Sequence, residues 1–142
     1  MNPRITVGVV GAITTLFGLG GLLRPDWVMR AIGYAVAPTA SEAFLHGEIR
    51  ALYGGLILVA GVFTLLSAAD PRAHQGRLIL LGLLWLGTCG GRVFGMIVDG
   101  SPGAFGWLSA AVELLLGGAL LVSSQVSAEK ESTVEGVSSF GT

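Results

Sequence analysis

Four charged side chains stand inside or against the long apolar runs of this chain: Glu48, Arg50, Arg92 and Glu113. A charge within a bilayer is costly, so it needs an opposite charge, water or a functional role. Two acids and two bases can neutralise one another, because Glu113 can pair with either arginine and Glu48 with the other. The same groups can also line a polar pocket, in which the arginines would hold an anionic or carbonyl group. Both interpretations predict a buried charge network.

Helical phase adds two polar side chains to this network. His46, Arg50 and Tyr53 are spaced at i, i+4 and i+7, so a helix places them on one face. His46 and Tyr53 could supply hydrogen bonds at the mouth of the pocket, whereas Glu48 points the other way and needs a different partner. The sequence therefore predicts a site with six members: His46, Glu48, Arg50, Tyr53, Arg92 and Glu113.

Several other kinds of chemistry are excluded by the residues present. The lone Cys89 cannot form an intrachain disulfide, and there is no P-loop, dinucleotide fingerprint, haem signature or nucleophile elbow. His46 and Glu48 would point apart on a helix, so we predict no metal site and no cofactor. The net charge of −1 predicts no nucleic-acid partner.

The composition indicates the elements that must position these charges. Hydrophobic residues make up 52% of the 142 residues, charged residues only 12%, and the mean hydropathy is +0.76. A bilayer core needs about 20 helical residues, and four apolar runs reach that length: 5–23, 46–69, 78–98 and 104–122. We predict an all-α, integral membrane four-helix bundle. The first run lacks an A-x-A cleavage site, which favours a span over a signal peptide.

The segments between and after the runs also carry signals. Trp27 and Tyr34 are seven residues apart, which predicts a short interfacial helix between the first two spans. Thr39–Glu42 matches a capping box, so the second helix should begin near Ala40 and continue to Ala69. We expect residues 1–126 to form the four-span domain and residues 127–142, rich in Ser, Glu and Val, to form a disordered cytoplasmic tail.

Basic residues at the span ends predict the orientation. Four lie on the side of the N-terminus, the second loop and the tail: Arg4, Arg72, Arg77 and Lys130. The opposite side has Arg24 and Arg30. The positive-inside rule therefore places both termini in the cytoplasm. Arg92 then lies about 9 Å from the outer end of the third span, and Glu113 about 14 Å from that of the fourth.

Small residues predict which helix faces are packed. Gly106, Ala110, Glu113 and Gly117 share a narrow side of the fourth span, so Glu113 should face the bundle interior. The third span carries a second stripe, Gly87, Gly91 and Gly95, which predicts a contact surface for a membrane-complex partner or a second copy of the chain.

The segment from His46 to Gly55, with its acid, arginine and Tyr-Gly-Gly end, resembles the hallmark of an uncharacterised bacterial family of small four-span membrane proteins. Gly91-Arg92, Asp99-Gly100 and Glu113 are similar to that family's other features. The architecture more distantly resembles DoxX-like four-helix membrane proteins. The resemblance implies a bacterial cytoplasmic membrane protein and leaves its activity open.

The function expected from these observations is the binding or handling of a lipid-soluble or amphiphilic small molecule, with membrane lipids as the other candidate ligand. An accessory or scaffolding subunit of a larger membrane complex is the alternative. A third possibility is a membrane enzyme that uses Glu113 or Glu48 as a general acid or base. Because no nucleophile or metal motif supports catalysis, the sequence favours a non-catalytic role.

Overall fold

The computed structural model describes residues 2–31, 42–100 and 103–138. Within these ranges all regular secondary structure is helical and no strand occurs, which confirms the predicted all-α class. Six α-helices and one π-helical segment follow in chain order: α1 Pro3–Leu23, α2 Pro25–Ala31, α3 Glu42–Ile49, the π segment Arg50–Leu56, α4 Ile57–Ala69, α5 Gln75–Asp99 and α6 Gly103–Ser138.

Four stretches of helix are long and apolar enough to cross a bilayer: Pro3–Leu23, Leu45–Ala69, Gln75–Asp99 and Gly103–Val126. They correspond to the four predicted spans, each extended by a few residues, and they make this chain a multi-pass membrane protein. Large aliphatic side chains on their outer faces are exposed, as in Leu16, Ile97 and Leu115. Such a surface suits contact with acyl chains, because lipid is as apolar as the side chains themselves.

The predicted short helix between the first two spans is confirmed as α2. Arg24 interrupts α1 because it precedes Pro25, and the residue before a proline disfavours helical geometry. The ring of Trp27 packs against Phe17 of α1, with the ring centroids 6.3 Å apart. Val28 of α2 is completely buried. The predicted contribution of Tyr34 and the start of the capping box, residues 39–41, lie outside the described residues.

The second membrane helix is not uniformly α-helical, contrary to the prediction of one regular helix from residue 40 to 69. Its middle, Arg50–Leu56, is a π segment between α3 and α4. A π-helix hydrogen-bonds from i to i+5 and so contains more residues per turn than an α-helix. The face that the sequence assigned to His46, Arg50 and Tyr53 by α-helical spacing is therefore not kept through this segment.

The spans pack as two pairs, α1 with α4 and the π segment, and α5 with α6, and the pairs meet where α1 contacts α6. Glycines bring the backbones of the first pair very close. A Cβ atom added at Gly18 would lie 2.3 Å from the Leu58 amide nitrogen, and one at Gly61 would lie 2.4 Å from that of Thr15. No larger residue fits at either position without moving a helix.

The last helix is longer than the sequence predicts. We expected a disordered tail from residue 127, and the structure instead has helical backbone through Ser138. No proline follows Pro102, so no residue of the sequence forces α6 to end after Val126. Residues 139–142 lie outside the described part of the chain.

Candidate functional site

Arg92 of α5 and Glu113 of α6 form an ion pair inside the bundle. The guanidinium donates from Nη2 to Oε1 at 2.5 Å, and from Nε to Oε2 at 3.1 Å and Oε1 at 3.2 Å. The Glu113 side chain is 9% exposed and that of Arg92 is 31% exposed. This two-pronged geometry is the strongest form of a guanidinium–carboxylate contact. Of the two partners that the sequence left open for Glu113, the structure selects Arg92.

The small-residue side of α6 explains why Glu113 points inward. Gly106, Ala110 and Gly117 are buried together with Glu113, which confirms the predicted interior face. A Cβ atom added at Gly117 would lie 2.9 Å from the Gly82 carbonyl oxygen of α5. The close approach of α5 and α6 thus brings the two charged side chains within reach of each other.

The ion pair lines a cavity of about 250 Å³, called here the pair cavity. The cavity lies in the half of the bundle towards α2, and all four spans contribute to its wall. Apart from Arg92 and Glu113, its lining is mainly apolar or aromatic: Ile13, Thr14, Phe17, Ala31, Tyr53, Ile57, Trp85, Phe105, Leu108, Ser109, Val112 and Leu116. The buried Glu113 carboxylate and the half-buried Arg92 guanidinium thus both border this space.

Tyr53 completes the polar part of the pair cavity and comes from the π segment. Its side chain lines the same space as Arg92 and Glu113, so three spans contribute to one polar cluster. The backbone around Tyr53 is pressed against α1, since a Cβ atom added at Gly21 would lie 2.6 Å from the Tyr53 carbonyl oxygen. π-helical turns are rare and occur frequently at functional sites.

The charges of the pair cavity are balanced, and hydrogen-bond donors remain. One guanidinium faces one carboxylate, so the pair has no net charge. A guanidinium has five N–H groups on three nitrogens. In Arg92, Nε and Nη2 donate to Glu113. The remaining donors of Arg92, together with the hydroxyl of Tyr53, can bind a hydrogen-bond acceptor in the cavity.

Arg50 is not part of this cluster, which corrects the prediction. Its side chain is exposed, and Nε donates to the Leu22 carbonyl oxygen at 3.3 Å. The last carbonyl groups of a helix have no partner within the helix, and a basic side chain can satisfy them. Arg50 therefore closes the end of α1 instead of binding a group in the pair cavity.

His46 and Glu48 also lie apart from the pair cavity. Nε2 of His46 is 2.6 Å from Oδ1 of Asp26, which ties α3 to α2. Glu48 is exposed and does not line the cavity. Of the six residues predicted from the sequence, the structure thus brings Tyr53, Arg92 and Glu113 together.

Sequence reasoning missed the apolar lining of the cavity. The best available signal was Trp85, which lies seven residues before Arg92 and so shares its face of α5. The contributions of Phe17 and Ala31 depend on how α1 and α2 pack, and no local pattern marks them. The described residues contain no group of three or more His, Cys, Asp or Glu side chains that could hold a metal ion.

Fold and site together define a multi-pass, four-span membrane protein with a buried ion pair beside a mainly apolar cavity. The chain belongs to the family described as "Domain of unknown function (DUF4345)", which it matches over residues 3–124. This match confirms the uncharacterised family indicated by the sequence and includes all of the residues around the pair cavity. No curated protein and no solved structure gives a significant match.

Proposed function

We propose that this protein binds a lipid-soluble small molecule in the pair cavity, with the polar end of the molecule against Arg92 and Tyr53. The observation that carries the proposal is a buried ion pair that borders a mainly apolar cavity. Binding sites for small molecules are typically apolar with a few well-placed polar groups. At about 250 Å³ the cavity fits a small molecule or one end of a longer one.

The charge balance favours a neutral ligand with a hydrogen-bond acceptor, such as a carbonyl or ester oxygen. An anion would bring an uncompensated negative charge into a mainly apolar space, because Glu113 already neutralises Arg92. Burying an unpaired charge is far more costly than burying a hydrogen-bonded polar group. Of the two ligand groups expected from the sequence, anionic or carbonyl, the carbonyl is therefore the better match.

A catalytic role for Glu113 has weaker support. A general base must be able to accept a proton from the substrate, but both carboxylate oxygens of Glu113 accept hydrogen bonds from Arg92. We therefore favour binding or handling of the ligand over its chemical conversion.

The proposed location is a bacterial cytoplasmic membrane, with both termini in the cytoplasm. Its support is the family resemblance together with the basic residues Arg4, Arg72 and Arg77 at one end of the bundle. A C-terminal reporter that is active only in the cytoplasm tests the orientation, and an inactive fusion with normal membrane insertion would contradict it.

A role as a subunit of a larger assembly is the second candidate. Cβ atoms added at Gly87 and Gly91 of α5 would meet no described residue within 4 Å, and one at Gly95 would reach only Asp99 of the same helix. The predicted glycine surface is thus open to a partner helix. Gly91→Leu should dissociate an assembly that crosslinking detects in the native membrane, and an unchanged crosslinking pattern would count against this role.

The ligand proposal is tested by native mass spectrometry of the protein released from gently extracted membranes. Leu116 lines the pair cavity, so Leu116→Trp should fill the space and remove a co-purifying small molecule. Leu115→Trp is the matched control, because Leu115 is 71% exposed and lies outside the cavity. Equal retention of the molecule by both variants would contradict the proposal.

A further inference from the structure

A second cavity of about 430 Å³ lies at the end of the bundle opposite to α2. It is bordered by the first turn of α1, by the turn between α4 and α5, and by α6. Asn2, Arg4, Asp70, Arg72 and Val126 are among its lining residues, and we call it the arginine cavity.

The arginine cavity lies at the level of the membrane surface. Pro3 begins the first span, Val126 ends the fourth, and Asp70 directly follows the end of the second. Three spans therefore end around it, at the depth where apolar side chains give way to polar ones. The phosphate groups of lipids occupy this zone of a bilayer.

The lining of this cavity carries a surplus of positive charge. Arg4 and Arg72 are both exposed, and among the side chains that the structure describes, which end at Val126 on α6, neither guanidinium forms an ion pair. The single acid, Asp70, is used by the turn, because its Oδ1 accepts from the backbone nitrogens of Arg72 at 3.2 Å and Ala73 at 3.3 Å. These bonds hold Asp70 in the turn but leave its charge in place, so Arg4, Arg72 and Asp70 together give the lining a net charge of +1.

We propose that the arginine cavity binds the phosphate group of an anionic phospholipid. Arginine forms paired hydrogen bonds with phosphate oxygens, and basic pockets between membrane helices are suited to anionic headgroups. Val126 and the neighbouring span ends place the acyl chains of such a lipid beside the apolar helix surface. Inorganic phosphate has the same oxygens but no acyl chains, so it should bind far more weakly.

Arg77 supplies a matched control on the same side of the bundle. Its guanidinium lies over the Phe63 ring, 5.2 Å from the centroid, and it does not line the arginine cavity. Arg77→Gln removes one positive charge near the membrane surface without altering the cavity. It therefore separates binding in the cavity from general attraction between a basic protein surface and anionic lipid.

The experiment measures lipid retention by native mass spectrometry after delipidated full-length protein is incubated with phosphatidylglycerol or phosphatidylcholine. Wild type and Arg77→Gln should prefer phosphatidylglycerol, whereas Arg4→Gln and Arg72→Gln, each of which removes one charge as Arg77→Gln does, should both bind it more weakly. The Arg4→Gln/Arg72→Gln double variant should bind it at least about tenfold more weakly. Circular dichroism verifies that all of these proteins remain helical.

Three results would overturn the proposal. In the first, the double variant keeps the preference of the wild type. In the second, Arg77→Gln loses the preference as fully as the double variant does. In the third, millimolar inorganic phosphate displaces phosphatidylglycerol, which would assign the cavity to free phosphate.

Discussion

The two cavities of this protein lie at opposite ends of the same bundle and differ in how their charges are used. In the pair cavity Arg92 is matched by Glu113, and most of the remaining wall is apolar. In the arginine cavity two guanidiniums and one carboxylate leave a net charge of +1. An arginine near a membrane cavity therefore does not by itself indicate an anionic ligand. The net charge of the cavity lining depends on whether an acidic side chain pairs with that arginine.

The strongest test of this contrast removes the acid from each cavity. Glu113→Gln leaves Arg92 unpaired inside the bundle and should lower the stability of the protein by about 3 kcal/mol. Asp70→Asn removes an exposed acid at the membrane surface and should cost less than about 1 kcal/mol. Thermal unfolding in one detergent measures both values.

The Arg92→Leu/Glu113→Leu double variant is the control for the buried charge. It removes both members of the pair and should be closer to wild type than Glu113→Gln, because no charge stays unpaired. A double variant that is less stable than Glu113→Gln would contradict the assignment of the loss to an uncompensated charge.

The close contact between α1 and α4 helps to fix the positions of the helices around both cavities, and glycine substitutions test it. Gly18→Ala forces the backbones of α1 and α4 apart, since the new Cβ would lie 2.3 Å from the Leu58 nitrogen. We expect a loss of about 2 kcal/mol in the same unfolding assay. Gly91→Ala, with no described atom within 4 Å of its Cβ, should be neutral or slightly stabilising. Equal losses of stability in the two variants would show that close glycine contacts between helices do not fix the helix positions.

A smaller effect is expected at the polar edge of the pair cavity. Tyr53→Phe removes one hydroxyl that could bind the acceptor of a ligand, so affinity should fall about fivefold, the equivalent of roughly 1 kcal/mol. The unfolding midpoint should change little. Unchanged affinity would show that Tyr53 does not bind the ligand and that Arg92 alone donates to its acceptor.

The smallest effect is expected at Arg50, which lies outside both cavities. Arg50→Gln loses an exposed contact with the Leu22 carbonyl oxygen and should cost about 0.5 kcal/mol. Ligand binding in the pair cavity should be unaffected. If Arg50→Gln weakened ligand binding as much as substitution of Arg92 does, Arg50 would belong to the ligand site, as the sequence predicted.

The Arg92–Glu113 pair could be anticipated because each residue lies in an otherwise apolar helix and the two helices are consecutive. The small residues beside Glu113 also indicated its direction. Arg50 could not be placed in this way, since its partner is a backbone carbonyl at the end of α1. Sequence patterns describe side chains, and they do not reveal which carbonyl groups a helix end leaves exposed.

The π segment was equally beyond prediction. The run Arg50–Leu56 contains an arginine and two adjacent glycines but no proline, and nothing in it distinguishes a π-helix from an α-helix. Its geometry accompanies a close contact with α1, where a Cβ atom added at Gly54 would lie 2.8 Å from the Leu22 nitrogen. Such a contact follows from the packing of two distant segments. α-Helical spacing consequently failed for His46, whereas Trp85 and Arg92 share a face because α5 is a regular helix.

We expect the balanced Arg92–Glu113 pair to select a neutral ligand over an anionic one. Quenching of Trp85 fluorescence measures this selection in a variant with Trp27→Phe and Trp107→Phe, with a brominated fatty-acid methyl ester and the corresponding free carboxylate as quenchers. We predict that the ester quenches Trp85 at lower concentration than the carboxylate, and that adding Glu113→Gln reverses this order. Tighter binding of the carboxylate in the presence of Glu113 would contradict the account.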